Sequence, residues 1–120
     1  MSVSNKELIA LFDKYDNTDK SVIYKNIYLL FDTYYQYKNQ TGSKRIIIIA
    51  GITNSAYNTV MAWNNTARPT KFPFMKLLQL ADAFDIPVEN FLREDNAWMD
   101  DETRSKARER IKELEGIYSD

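Results

Sequence analysis

Residues 60–92 read VMAWNNTARPTKFPFMKLLQLADAFDIPVENFL, and this stretch decides the fold. Val60 and Trp63 are three positions apart, a spacing that places both side chains on one face of a helix. Pro73 suits the first position of the next helix, where its missing N–H is not needed. Apolar residues then recur at helical spacing until Asp-Ile-Pro at 85–87 interrupts them. The pattern predicts three successive helices, over 56–65, 73–84 and 88–93.

Two more helices are expected near the N-terminus. Ser4 and Glu7 form the pattern of a capping box, in which the Ser4 side chain accepts a hydrogen bond from the Glu7 amide. The short helix that follows is expected to be a packing accessory. Over 21–37 a second amphipathic helix is predicted by an apolar stripe, formed by Ile23, Ile27, Leu30, Phe31 and Tyr34.

The segment 44–53 can be interpreted in two ways. Four consecutive isoleucines, at 46–49, favour a β-strand by local propensity. However, the chain offers no second strand of similar quality, and a lone strand cannot satisfy its backbone groups. We therefore expect a helix here and an all-α fold.

The C-terminal segment, 100–116, begins with three acidic residues and continues with many Arg and Lys, an order that suits the helix dipole. Its apolar stripe is narrow, and it consists of Met99, Thr103, Ala107, Ile111, Leu114 and Tyr118. Such a stripe is adequate either for a partner or for docking on the domain.

The composition narrows the function classes. The 120-residue chain contains neither Cys nor His, which excludes Ser-His and Cys-His nucleophilic systems and most transition-metal sites. No pair of carboxylates has a spacing that indicates one catalytic site, and Asp82 with Asp85 is typical of a helix end. We expect no enzymatic activity, no metal and no cofactor.

The sequence also predicts a cytoplasmic protein without a membrane partner. The longest apolar run, which starts at 46–49, is too short to cross roughly 30 Å of hydrocarbon. The first five residues do not show the basic region and apolar core of a signal peptide.

The formal net charge of −1 hides an uneven distribution. Residues 20–95 carry nine basic and six acidic groups, a balance of +3, whereas 1–19 and 96–120 each sum to −2. Residues 33–81 contain no Asp or Glu but six basic residues, namely Lys38, Lys44, Arg45, Arg68, Lys71 and Lys76. A chain that is acidic overall can therefore still present a basic face to nucleic acid.

These residues together resemble the Cro/repressor-type (XRE-like) helix-turn-helix family. The resemblance rests on Val60 with Trp63, on Arg68-Pro69, and on KLLQLADAFDIPVENFL at 76–92. Members typically show an aliphatic–x–x–Trp recognition helix, a basic loop with Pro, and a short Asp/Glu-x-Leu-Leu helix. The resemblance implies a five-helix phage-repressor-like helix-turn-helix domain over 21–95. Residues 1–20 would add an N-terminal accessory helix, and residues 96–120 a charged C-terminal helix.

Gly51-Ile52-Thr53 departs from the family pattern, because six residues rather than three separate this turn sequence from Val60. Two interpretations follow. Either the turn is longer here, or the helix over 44–53 runs through Gly51 and turns near Asn54 and Ser55.

The resemblance also implies the residues that meet DNA. Base contacts correspond to Tyr57 and Asn58 just inside the recognition helix, and to Met61 or Ala62 one turn later. Asn can make a bidentate contact with adenine, and Met or Ala can touch a thymine methyl. Tyr57 has a second interpretation, as a residue that caps the edge of the core. Phosphate contacts correspond to Lys44, Arg45, Thr59, Asn65, Arg68 and Lys71.

The expected function is a sequence-specific transcriptional regulator, a phage or mobile-element repressor that binds a two-fold operator on double-stranded DNA as a homodimer. The C-terminal helix or the segment 88–92 would form the dimer contact. The alternative is a protein-binding module on the same fold, because fold does not fix function. Antitoxins, antirepressors and phage-encoded inhibitors such as anti-CRISPRs are of this kind, and the C-terminal helix would then meet the protein partner.

Overall fold

The isoleucine-rich segment is a helix. The computed structural model describes residues 4–35, 41–65, 67 and 70–118. Ile48 and Ile49 are fully buried within the helix Thr41–Thr53. Burial of this face overrides the local preference of isoleucine for strands, since each buried side chain contributes about 1.5–3 kcal/mol. The all-α prediction is confirmed for the described residues, which contain no strand.

Six α-helices and one 3-10 helix form the described part of the chain. They are α1 (Asn5–Asp16), α2 (Lys20–Tyr35), α3 (Thr41–Thr53), α4 (Tyr57–Trp63), α5 (Phe74–Phe84), the 3-10 helix (Val88–Leu92) and α6 (Asp101–Tyr118). The predicted order of helices is therefore present, with boundaries that differ by a few residues.

Helices α2 and α6 form the central packed pair of the fold. The stripe of α6 contributes Ala107, Ile111 and Leu114 to the same buried core as the apolar residues of α2. Of the two interpretations of this narrow stripe, docking on the domain agrees with the structure.

Asn26 is a fully buried polar residue that joins three segments. Its Nδ2 donates to the carbonyl oxygens of Phe91, at 2.9 Å, and Arg93, at 2.7 Å. Its Oδ1 accepts a hydrogen bond from the indole Nε1 of Trp98 at 3.3 Å. Because both polar atoms of its side chain are hydrogen-bonded, Asn26 fixes the 3-10 helix and the segment that leads into α6 on one side of α2.

Helix α1 is attached through its C-terminal end. The Ser4 side chain accepts from the Glu7 amide at 3.1 Å, which confirms this half of the predicted capping box. The Tyr15 hydroxyl donates to the Phe72 carbonyl at 2.6 Å, and the Tyr15 ring packs against Phe74. The accessory helix is thus joined to the segment that leads into α5.

The structure changes three details of the predicted helices. Pro73 is the N-cap of α5 rather than its first helical residue, and α4 is shorter than the predicted 56–65. The last short helix of the predicted domain is a 3-10 helix. Among the described residues no single helix is long and apolar enough to span a membrane. The bent pair Ser43–Thr53 and Tyr57–Trp63 has sufficient length and apolar composition only when the two helices are taken together.

Candidate nucleic-acid interface

Helices α3 and α4 are joined by a sharp turn at residues 54–56. The chain direction bends by 107° between them. Asn54 lies in the left-handed region with φ of 50°, and the Ser55 amide donates to the Ala50 carbonyl at 3.0 Å. Asn tolerates this conformation better than most residues, which explains why α3 ends here. The helix therefore runs through Gly51, so the second interpretation of the departure is correct.

The inner face of α4 holds this short helix on the domain. Val60 is fully buried, and Trp63 is buried with its ring centroid 5.1 Å from that of Phe72. Their spacing predicted that both side chains share one face of the helix, and the structure confirms this. The spacing of these two anchors fixes which residues of α4 face outward.

The outer face of α4 contains the predicted base-contacting residues. Tyr57 is 40% exposed and Met61 is 43% exposed, and Asn58 is exposed beside them. These positions share one helical face, because they are three and four residues apart. Ala62 is half-buried at the edge of this face. The structure thus brings the predicted residues together on an uncharged surface.

The predicted phosphate contacts are more dispersed. Thr59 is exposed on α4, and Asn65 is exposed with its side-chain oxygen accepting from the Ala67 amide at 2.9 Å. Lys44 is half-buried in the first half of α3. Arg68 lies outside the described residues.

Arg45 is a core residue. Its side chain is only 6% exposed, and its guanidinium carbon lies 4.5 Å from the ring centroid of Tyr28 on α2. A guanidinium over an aromatic face gains cation–π energy while it is shielded from water. The phosphate contact predicted for Arg45 is not supported by this position.

Lys71 likewise serves the fold. Its ammonium group donates to the carbonyls of Tyr15 and Asp16 at the C-terminal end of α1, and it lies 4.2 Å from the Tyr15 ring centroid. Burial lowers the pKa of Lys71, against the opposite effect of Asp16 and Asp19. Cations are favourable where helix carbonyls are unpaired. This capping role does not support the phosphate contact that was predicted.

Lys76 has an equivalent role, which the sequence pattern did not identify. Its Nζ donates to the Thr53 carbonyl, the last of α3, at 2.8 Å. Lys76 therefore ties α5 to the residue directly before the turn.

A groove of about 750 Å³ lies between the end of α5 and α6, and its charge does not suit DNA. The two cations that line it are paired, Lys106 with Glu102 at 2.9 Å and Arg110 with Glu113 at 3.0 Å. Further acids, Asp82, Asp85 and Glu109, line it as well. Such a surface repels phosphates.

The described part of the chain contains no candidate metal site. There, no group of three or more acidic, His or Cys side chains could hold an ion. Every buried side-chain nitrogen and oxygen among these residues has a hydrogen-bond partner.

Comparison of the chain with known protein families, with curated proteins and with solved structures finds no significant match.

Proposed function

We propose that the chain is a helix-turn-helix DNA-binding protein in which α4 is the recognition helix. The observation that carries the proposal is the three-residue turn with a 107° bend between α3 and α4. Helix-turn-helix units in general have two helices at about 90–120° joined by a turn of three or four residues. The second helix of such units enters the major groove and contacts base edges with its N-terminal residues.

The outer face of α4 has suitable chemistry for reading bases. Asn58 can donate to and accept from one adenine edge, and the Tyr57 hydroxyl can do either. Met61 offers an apolar contact for a thymine methyl group. The inner anchors, Val60 and Trp63, hold these side chains in a fixed register.

In this proposal the protein is a repressor that binds a two-fold operator as a homodimer. One short recognition helix contacts few base pairs, and a second copy doubles the number of base pairs contacted. Both predicted dimer surfaces bury most of their apolar residues. Ala107, Ile111 and Leu114 of the α6 stripe are buried, as are Val88, Phe91 and Leu92 of the 3-10 helix. On α6, Tyr118 and the neighbouring Ile117 remain exposed, at 40% and 61%. Other large exposed apolar side chains are Ile9 on α1 and Met75 on α5, at 70% and 64%.

Affinity selection from a pool of random DNA duplexes tests the proposal. We expect the wild-type chain to enrich one motif. Asn58→Ala should lose preference at one or two positions of that motif, by about 1–3 kcal/mol of discrimination. Asn96→Ala is the matched control, because Asn96 is equally exposed but far along the chain from α4. If the wild-type chain enriches no sequence at low salt, the proposal is wrong.

A protein partner for the same face is the second candidate. Residues 54–65 contain no charged side chain, and Tyr57 and Met61 are the exposed members of this segment with the largest apolar area. The centres of protein interfaces are depleted in charge and enriched in Tyr and Met. Binding that barely depends on salt would favour this candidate over DNA.

A further inference from the structure

The last turn of α6 lies directly on α3 at Gly51. A Cβ atom built on Gly51 would come within 2.7 Å of three ring atoms of Tyr118, namely Cγ, Cδ1 and Cε1. No side chain fits in that space, so the ring occupies volume that only glycine leaves open. Gly51 lies inside a helix and does not have a positive φ. Glycine normally destabilises the interior of a helix. The close approach of the Tyr118 ring explains why residue 51 is nevertheless glycine.

The end of α6 is itself firmly held. The Tyr35 hydroxyl, buried at the end of α2, donates to Glu115 at 2.6 Å. About two turns earlier, the Arg108 Nε donates to the Thr33 carbonyl at 3.0 Å. Helix α2 therefore fixes the position from which Tyr118 reaches α3.

Two of the contacts that hold α3 lie immediately before its turn. Tyr118 from α6 packs on Gly51, and Lys76 from α5 bonds the Thr53 carbonyl. Asn54 starts the turn, and α4 packs on α3 directly after it. A displacement at Gly51 would therefore reach α4 through residues 52–56, which link the two helices, and through their packing contact.

We propose that residues 115–118, called the strap, set the position of the α3–α4 unit, which comprises residues 41–63. Tyr118 is the positioning residue, and its ring packs in the space that Gly51 leaves open. The inference rests on the proposed function, because it assigns to the strap the placement of the recognition helix. Tyr118 acts through α3.

Paired substitutions isolate this contact. Gly51→Ala introduces a Cβ where the ring lies and must displace Tyr118, whereas Tyr118→Ala removes the ring. In the double variant the new Cβ has room. Gly116→Ala is the matched control for the glycine, because a Cβ there meets nothing within 4 Å. Ile117→Ala is the control for the tyrosine, because Ile117 is 61% exposed in the same turn.

The first measurement uses the free protein. In amide ¹H–¹⁵N spectra, we expect Gly51→Ala and Tyr118→Ala to shift the resonances of α4, and both controls to shift only their neighbours. In the Tyr118→Ala background, adding Gly51→Ala should leave the α4 resonances unchanged. An equal effect of Gly51→Ala in both backgrounds, or no effect on α4, would overturn the strap. If Gly51→Ala alone does not fold, we expect the double variant to fold, because the ring that clashes with the new Cβ is absent. A double variant that does not fold would also overturn the strap.

The second measurement is affinity for the duplex selected by the wild-type chain. We expect Gly51→Ala and Tyr118→Ala to bind several-fold more weakly, because a less fixed recognition helix pays more entropy on binding. Unchanged affinity in both variants would contradict the strap. If the wild-type chain binds no duplex, the proposed function fails, while the spectra of the free protein still decide the strap.

Discussion

At the scale of single residues, three cations of the acid-free segment 33–81 end inside the fold. Arg45 stacks on Tyr28, Lys71 caps α1, and Lys76 caps α3. Arg45 and Lys71 place a cation over an aromatic ring, and Lys71 and Lys76 donate hydrogen bonds to carbonyls at helix ends. Their first role is stability.

Replacing Lys71 by Met tests this role. The substitution keeps the apolar stem but removes the donor to Tyr15 and Asp16 and the contact with the Tyr15 ring. We expect the free energy of unfolding to fall by about 1–3 kcal/mol. Lys112→Met on the exposed face of α6 is the control and should change it by less than about 0.5 kcal/mol. Urea denaturation measures both, and equal effects would refute the capping role.

Tyr35 gives a prediction for alkaline pH. Burial, and then the hydrogen bond to Glu115, raise the pKa of Tyr35 above its ordinary value of 10.0. The folded chain thus holds this proton more tightly than the unfolded chain does. The stabilisation is complete below pH 10 and is lost as the pH rises above it.

Tyr35→Phe removes both the hydrogen bond and this titration. We expect a loss of about 1–3 kcal/mol near neutral pH, because Glu115 loses its donor. From about pH 9 to about pH 11 the variant should lose less further stability than the wild type. Urea denaturation at both values of pH measures this difference. Parallel losses in the two proteins would show that Tyr35 does not control the alkaline response.

The sequence predicted inward apolar residues well at this scale and cations poorly. Val60 and Trp63 were placed correctly because helical spacing alone determines the face they share. No spacing rule distinguishes a solvated lysine from one that caps a helix distant in sequence. The role of Lys71 depends on where α1 ends in space, 55 residues away from it along the chain.

At the scale of elements, the turn between α3 and α4 is the feature on which the proposed function depends. The sequence left two registers for it, because Gly51 resembles a turn residue. The structure places Gly51 within α3, where Tyr118 requires its lack of a side chain. A tertiary contact from the last turn of α6 therefore explains why local sequence could not decide the register.

Asn54 allows the turn to be tested. Its left-handed conformation costs an ordinary residue about 1–2 kcal/mol, but glycine pays no such penalty. We expect Asn54→Ala to destabilise the chain by about 1 kcal/mol and Asn54→Gly to be neutral or stabilising. Asn58→Ala makes the same change at a helical position and should stay within about 0.5 kcal/mol. Thermal unfolding ranks the three variants, and a destabilising Asn54→Gly would contradict the assigned turn.

At the scale of the whole molecule, acidic and uncharged surfaces are formed by different helices. The acidic groove between α5 and α6 repels phosphates, whereas α4 presents a neutral surface. The uneven charge was visible in the sequence, but the number of cations facing outward was not. Arg45, Lys71 and Lys76 are engaged internally, so at most three of the six cations of segment 33–81 can contact DNA.

This count predicts a shallow salt dependence. Each phosphate contact contributes about −0.9 to the slope of log affinity against log salt. Six contacts would give about −5, and three at most give no steeper than about −3. Fluorescence anisotropy on a labelled duplex at several salt concentrations measures the slope. A slope near −5 would show that the internally bound cations release their partners and contact DNA.

The most direct test of α4 as a recognition helix is an NMR titration of the ¹⁵N-labelled chain with the duplex it selects. We predict that the largest amide shifts fall on residues 57–62, with smaller shifts in the loop that follows α4, and that Asn58→Ala reduces the shifts in α4. Shifts concentrated on α1 or α6 with α4 unchanged would contradict the central claim. The absence of any shift at low salt would contradict it as well.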